Sequence, residues 1–272
     1  MKSSGYILVV IALVITISAA IYQKKTGPTY EVDVDMNWHG VDIAGELTRT
    51  HGGDGDQPLV INIPDTSMYA TIIYKRYNTD DAWTGMKMQR DGDQLSGSLP
   101  HQPPAGKLEY FIQVNQGANF VILNEGTSVV TRFKGAVPLI ALLPHILLMF
   151  AAMFLSNWAG LAAIKQDEKM GMLTYITTGL LFIGGMILGP VVQKFAFGEF
   201  WTGIPWGFDL TDNKTLLAMV AWAIAAWMVY RKKSARLWII VAAIVLLLVY
   251  SVPHSTMGSE LNYNTMEIQS AD

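Results

Sequence analysis

Five apolar segments constrain this chain more than any other feature of its sequence. The first runs from Gly5 to Tyr22 without a charged residue. Four more follow at about 137–164, 172–193, 214–230 and 237–253. A helix needs about 20 predominantly apolar residues to cross a hydrocarbon core of roughly 30 Å. Charged residues make up only 15% of the chain, against roughly 25% in soluble domains, so we expect an integral membrane protein embedded in a lipid bilayer.

The first apolar segment has two interpretations. A cleaved signal peptide has an apolar region of only about 7–15 residues, followed by small residues at the cleavage site. The run here is longer, although Ala19 and Ala20 supply small residues near its end. We expect residues 1–26 to form an uncleaved membrane anchor, with a cleaved signal as the alternative.

Residues 27–136 differ in character from the segments on either side. Short stretches in which apolar and polar residues alternate lie at 58–63, 69–76, 107–114 and 128–133. Turn-forming clusters separate them at 51–56, 90–94 and 101–106. This pattern predicts an antiparallel, immunoglobulin-like β-sandwich. The fold class is therefore an α+β membrane protein, with the sandwich between the anchor and a transmembrane domain of four helices over residues 137–256.

A cluster of positive charge between the last two segments predicts the orientation. Arg231, Lys232, Lys233 and Arg236 lie in one short connection, which the positive-inside rule places in the cytoplasm. The N-terminus is then cytoplasmic as well. The β-sandwich, the 194–213 loop and the C-terminal tail 257–272 lie on the outer side. Short loops and an external domain fit a bacterial inner membrane, with these parts in the periplasm.

Several function classes are disfavoured by the sequence. The chain has no Cys, so thiolate metal sites and disulfides are excluded. Its net charge of −3 gives no support for nucleic-acid binding. No P-loop, nucleophile elbow or dinucleotide fingerprint occurs in the sequence, so neither nucleotide binding nor hydrolase chemistry is indicated. Whether the chain is an enzyme is left open.

Two histidines lie at the ends of predicted spans. His145 is about eight residues into the second apolar segment, and His254 closes the fifth. The predicted orientation brings both to a similar depth at the outer face. Imidazole is a common ligand of haem iron and of other transition metals. The alternatives are a hydrogen-bonded His145 within the bundle and a solvated His254 at the interface.

The outer loop between these histidines is rich in aromatic residues. Six lie within fourteen positions: Phe195, Phe197, Phe200, Trp201, Trp206 and Phe208. They can anchor the loop at the membrane interface, or stack on a planar ligand approached through the interleaved glycines. Asp212 or Asn213 can cap the following helix. Asp209 is then left as a further site residue.

The stretch FGEFWTGIPWGFDLTDNKT resembles the tryptophan-rich (WWD) outer loop of the haem-handling membrane proteins of cytochrome c maturation. The matching positions are Phe197-Gly198 in place of Trp-Gly, then Trp201, Trp206, Asp209 and Thr215. The resemblance covers about residues 137–255. A phenylalanine replaces the first tryptophan, and extra residues separate Trp201 from Asp209.

The resemblance implies that haem binds at the outer face, with His145 and His254 as axial and therefore metal ligands. The loop residues Phe197, Gly198, Trp201, Trp206 and Asp209 would form the rest of the cofactor site. Such a protein would present haem to an apocytochrome, or would keep it for membrane electron transfer. The alternative is a non-enzymatic assembly protein whose β-sandwich binds an extracytoplasmic partner, such as a respiratory-complex subunit.

Overall fold

The computed structural model describes residues 3–254, 256 and 258–270. Over these residues the chain is an α+β protein. A β-sandwich-like domain lies between one long N-terminal helix and a bundle of apolar helices. The structure confirms the predicted α+β class and the presence of a β-sandwich-like region.

Two sheets form the β domain. The first contains, in spatial order, β1 Val32–Trp38, β2 Val41–Leu47, β4 Gln57–Asn62, β8 Gln94–Leu99 and β7 Gln89–Asp91. The second contains β3 Thr50–Gly52, β11 Val129–Lys134, β9 Lys107–Gln116, β5 Tyr69–Arg76 and β6 Thr84–Lys87, and β10 Asn119–Ile122 pairs with β9. Within these two sheets the pairs are antiparallel except β3 with β11.

Alternating side chains explain why these segments form strands. In β4 every second residue is buried, as expected for a strand with one face toward a core. Large side chains from both sheets meet between them, among them Ile43, Leu59, Ile72, Tyr110 and Phe133. All five are almost completely buried. The sandwich therefore has its own hydrophobic core.

Six α-helices make up the rest of the described chain. They are α1 Ser3–Thr26, α2 Leu139–Lys165, α3 Met170–Leu181, α4 Gly189–Phe197, α5 Leu210–Tyr230 and α6 Ala235–Ser251. A π-helical segment, Phe182–Leu188, joins α3 to α4. Within the described residues, four helical stretches are long and apolar enough to cross a membrane: Gly5–Thr26, Leu139–Lys165, Met170–Phe197 and Leu210–Tyr230. The apolar α6 is shorter, with 17 residues.

Small side chains fill the interior of the helical bundle. Its buried cluster contains eight alanines, Ala152, Ala159, Ala162, Ala163, Ala218, Ala225, Ala242 and Ala243. At Gly160 in α2, an added Cβ would lie only 2.7 Å from the Cβ of Ala243 in α6. The helices thus approach closely, as small residues permit.

The N-terminal helix packs against this bundle. Asn157 in α2 donates a hydrogen bond of 3.0 Å from Nδ2 to Oγ1 of Thr16, and both residues are buried. Farther along α1, Ala19 packs with Met153 and Tyr250. The helix is therefore an integral part of the described structure.

One end of the bundle meets the β domain. The amide of Gly135, just after β11, donates to the carbonyl of Ala196 at the end of α4. A Cβ at Gly135 would lie 2.3 Å from the carbonyl oxygen of Phe195, so only glycine allows this approach. A C-terminal hairpin, β12 Ser259–Asn262 and β13 Glu267–Ser270, closes the same junction. Its Glu260 forms an ion pair with Lys107 of β9 at 2.5 Å.

Candidate functional site

A cavity of about 150 Å³ lies at the junction between the bundle and the β domain. We call it the junction pocket. Its lining residues come from several regions of the chain and include Arg132 of β11, His145 of α2, Gly189 of α4 and Asp209 before α5. His254, three residues after α6, also lines the pocket. The two histidines singled out from the sequence therefore line one cavity.

His145 is held by the π-helical segment. Its Nδ1 lies 2.9 Å from the carbonyl oxygen of Gly184. A carbonyl can only accept, so in the neutral ring Nδ1 carries the proton and Nε2 is a hydrogen-bond acceptor. An added Cβ at Gly184 would lie 3.0 Å from the Cβ of Leu148, so the glycine allows α2 to approach this carbonyl.

His254 contacts the N-terminal helix, and this contact fixes the tautomer opposite to that of His145. Gln23 Nε2 lies 2.7 Å from His254 Nδ1 and 2.9 Å from the carbonyl oxygen of Tyr250. The carbonyl contact identifies this atom as the amide nitrogen, so His254 Nδ1 accepts and its Nε2 carries the proton. The pocket therefore contains one imidazole whose Nε2 accepts and one whose Nε2 donates. Within the described chain, neither Nε2 has a hydrogen-bond partner.

The acidic residues of the loop hold the backbone. Asp209 is the N-cap of α5 and accepts from the amides of Thr211 and Asp212. Its other oxygen accepts from the amide and the hydroxyl of Ser259, at 2.8 and 2.9 Å. The expectation that Asp212 or Asn213 caps this helix is wrong. The helix begins earlier than its apolar pattern, which places Asp209 at the cap position.

Asp212 and Asn213 instead fix the aromatic loop from the first turn of α5. Asp212 accepts from the amide of Thr202 at 2.6 Å and from Nε2 of Gln193 at 3.0 Å. The side-chain oxygen of Asn213 accepts from the amide of Ile204 at 2.8 Å. Both acceptors satisfy loop amides that would otherwise be unpaired, which gives these two polar residues a structural role.

Arg132 is the one cationic side chain among the described residues that line the pocket. It is only 6% exposed, and burial lowers its pKa to about 10, so it remains charged at neutral pH. Its guanidinium lies 3.8 Å from the ring centroid of Phe197 and donates to the carbonyl of Ser259. Its Nε has no hydrogen-bond partner within the described residues. This nitrogen is completely buried, so it does not face the open space of the pocket.

The aromatic loop residues are divided between the pocket and the surface. Phe197 lines the junction pocket, whereas Trp201, Trp206 and Gly198 are not among its described lining residues. Trp206 is 81% exposed, and Nε1 of Trp201 donates to the carbonyl of Ile204 within the loop. This arrangement matches the interface-anchor interpretation of the loop better than a platform around the two histidines.

Haem does not fit the junction pocket as the residues stand. Pockets for drug-sized ligands span about 300–1,000 Å³, and a macrocycle needs more room than a cavity of about 150 Å³. Ligation by both rings also requires an unprotonated Nε2 on each, while Gln23 holds His254 in the other tautomer. Haem binding by this chain stays a prediction.

The other histidines lie in the β domain. The rings of His51 and His101 both contact the carbonyl of Gly55 and the ring of Phe133. His39 stacks edge-on against Trp38. Within the described residues, no group of three His, Asp or Glu side chains could hold a metal ion.

Comparison with protein-family models, curated proteins and solved structures finds no match to this chain. The resemblance to the haem-handling proteins is therefore untested by relatives. Sequence reasoning missed two residues of the site, Arg132 and Gln23. The isolated Arg132 in the apolar strand β11 was a signal, whereas nothing in the sequence links Gln23 to a residue 231 positions later.

Proposed function

We propose that this chain is an integral membrane protein that binds the headgroup of a lipid-soluble quinone or hydroquinone in the junction pocket, at the outer face of the membrane. The large aliphatic side chains on the outside of the bundle support the membrane location. Ile140 is 86% exposed and Leu147 is 67% exposed. Such surfaces are unfavourable in water and suit a hydrocarbon surrounding.

The size of the pocket supports a single six-membered ring. An engineered protein cavity of about 150 Å³ is known to bind benzene, which is the size of the junction pocket. A quinone headgroup is one such ring with oxygen substituents, and its hydrocarbon tail partitions into lipid. The pocket lies where the apolar bundle meets the β domain, so a ligand from the bilayer would reach it without leaving the apolar region.

The polarity of the pocket carries the proposal. His145 Nε2 accepts and His254 Nε2 donates, because Gly184 and Gln23 fix opposite tautomers. Arg132 adds a positive charge at the wall of the pocket. Convergent polar groups in an otherwise apolar cavity give a ligand its orientation. The opposed ring oxygens of a benzoquinone or benzohydroquinone are suitable partners for two such imidazoles.

Binding of a short-chain para-benzoquinone with one isoprenoid unit tests this function. Both its oxidised and reduced forms are titrated into the full chain in lipid nanodiscs. His145→Phe preserves a flat ring but removes both nitrogens, and we expect at least a tenfold loss of affinity for the reduced form, whose hydroxyl is left unpaired. His101→Phe, at an exposed position of the β domain, is the matched control and leaves binding unchanged.

The same titration can reject the proposal. If neither form of the quinone binds, or if both variants bind like the natural sequence, the junction pocket is not a quinone site. A protein that binds no quinone but co-purifies with a stable partner would instead favour the assembly function.

A further inference from the structure

We propose that the junction pocket selects the reduced hydroquinone over the oxidised quinone, and that Nε2 of His145 contributes to this selection as a hydrogen-bond acceptor. This inference rests on the proposed function. It concerns which redox form the site holds, and it involves no electron transfer within the chain.

The hydrogen-bonding groups of the two redox forms differ in one respect. The carbonyl oxygens of a quinone only accept, whereas each hydroxyl of a hydroquinone donates and also accepts. A donor in the pocket therefore binds either form. An acceptor binds only the reduced form, because only a hydroxyl offers it a proton.

The pocket has both kinds of group. His254 Nε2–H is a donor that tolerates either redox state. His145 Nε2 is an acceptor, because its Nδ1 proton is committed to the carbonyl of Gly184. That carbonyl also accepts from the amide of Gly189, so it is fixed by the helix. Moving the ring proton of His145 from Nδ1 to Nε2 would therefore break this hydrogen bond.

A quinone in this pocket would place a carbonyl oxygen against the lone pair of His145 Nε2. Both groups would then be unpaired. Sites built to bind a hydroxyl discriminate strongly against analogues that lack it, by as much as about 10⁴. A hydroquinone pairs both groups, since one hydroxyl donates to His145 Nε2 and the opposite oxygen accepts from His254 Nε2–H.

Two carboxylates, Asp209 and Asp212, also line the pocket. The oxygens of Asp209 accept from Thr211, Asp212 and Ser259, so this carboxylate is occupied by the backbone and by the C-terminal hairpin. The contacts of Asp212 with Thr202 and Gln193 use only its Oδ2. Its Oδ1 is therefore a second acceptor, which favours a hydroxyl as His145 Nε2 does.

The test compares dissociation constants for the short-chain para-benzoquinone and its dithionite-reduced hydroquinone, measured anaerobically on the full chain in nanodiscs. We expect the hydroquinone to bind at least tenfold more tightly. A tenfold preference raises the midpoint potential of the bound two-electron couple by about 30 mV. Equal binding of the two forms, or tighter binding of the quinone, overturns the inference while the proposed function stands. If neither form binds, the proposed function itself fails.

Two variants address the mechanism. His145→Phe should reduce the preference, mainly by weakening hydroquinone binding. Gln23→Glu replaces the donor to His254 Nδ1 by a carboxylate, which favours a proton on Nδ1 and converts Nε2 into a second acceptor. We expect this variant to weaken quinone binding about tenfold further while hydroquinone binding is retained. An unchanged ratio in Gln23→Glu would overturn the assignment of opposed tautomers, and an unchanged ratio in His145→Phe would overturn the role of His145.

Discussion

In the β domain the large apolar side chains lie in the core, whereas many of those in the helical bundle lie on its outer surface. In the β domain, Ile72, Leu59 and Phe133 are buried between the sheets. In the bundle the interior contains mainly alanines and glycines, and Leu147 and Leu248 are more than 60% exposed. The first region is held by removing apolar surface from water. The second has the pattern of helices held by close backbone packing.

This difference explains where the polar pocket forms. The sandwich core has no room for buried charge, and the bundle interior is too closely packed to hold a ligand ring. The two kinds of packing meet at the junction, where the pocket is lined by Arg132, Asp209 and the two histidines. The proposed ligand site therefore lies where two differently packed cores meet.

The largest expected effect comes from truncating the sandwich core. Ile72→Ala removes a fully buried side chain, and we expect a loss of about 2–5 kcal/mol in the unfolding free energy of the β domain. Leu147→Ala in α2 is the matched control and should change stability little, since a lipid surrounding is as apolar as leucine. Chemical denaturation in detergent micelles measures both. Equal losses would contradict the contrast between the two regions.

An intermediate effect comes from enlarging the bundle interior. Gly160→Leu forces a side chain against Ala243 of α6, and we expect a cost of about 1–3 kcal/mol. Gly179→Leu in α3 is a suitable control, because an added Cβ there meets nothing within 4 Å. Thermal unfolding in nanodiscs should show a lower midpoint for the first variant only. A tolerated Gly160→Leu would mean that close packing does not hold the bundle.

The smallest effect concerns the polar contact between α1 and α2. A double-mutant cycle with Thr16→Val and Asn157→Leu isolates their hydrogen bond. Such contacts between membrane helices couple by about 0.6 kcal/mol on average. Reversible unfolding of the four proteins in mild detergent gives this value. A coupling of zero would show that α1 is held by apolar packing alone.

Much of this architecture is readable from the sequence. Alternation in Pro58–Ile63 and Tyr69–Arg76 predicts strands that the structure contains as Gln57–Asn62 and Tyr69–Arg76. The long uncharged segments predict the apolar helices from their length and composition. The boundary of α5 was misplaced because polar residues occupy its first turn, where Asp212 and Asn213 bind loop amides.

The chemistry of the site is less predictable. The sequence indicates His145 and His254 as polar residues at span ends, but their tautomers depend on contacts with Gly184 and Gln23. Those partners lie 39 and 231 residues away along the chain. No local pattern encodes which ring nitrogen is protonated, so the difference between a metal site and a hydrogen-bonding site appears only in the folded arrangement.

Nitrogen NMR of the histidine-labelled full chain in lipid tests the central claim most directly. The chain has five histidines, and the three in the β domain serve as internal references. We expect His145 to be protonated at Nδ1 and His254 at Nε2, and hydroquinone to shift Nε2 of these two rings alone. A shared tautomer for the two rings, or shifts of similar size at His39, His51 and His101, would contradict the account.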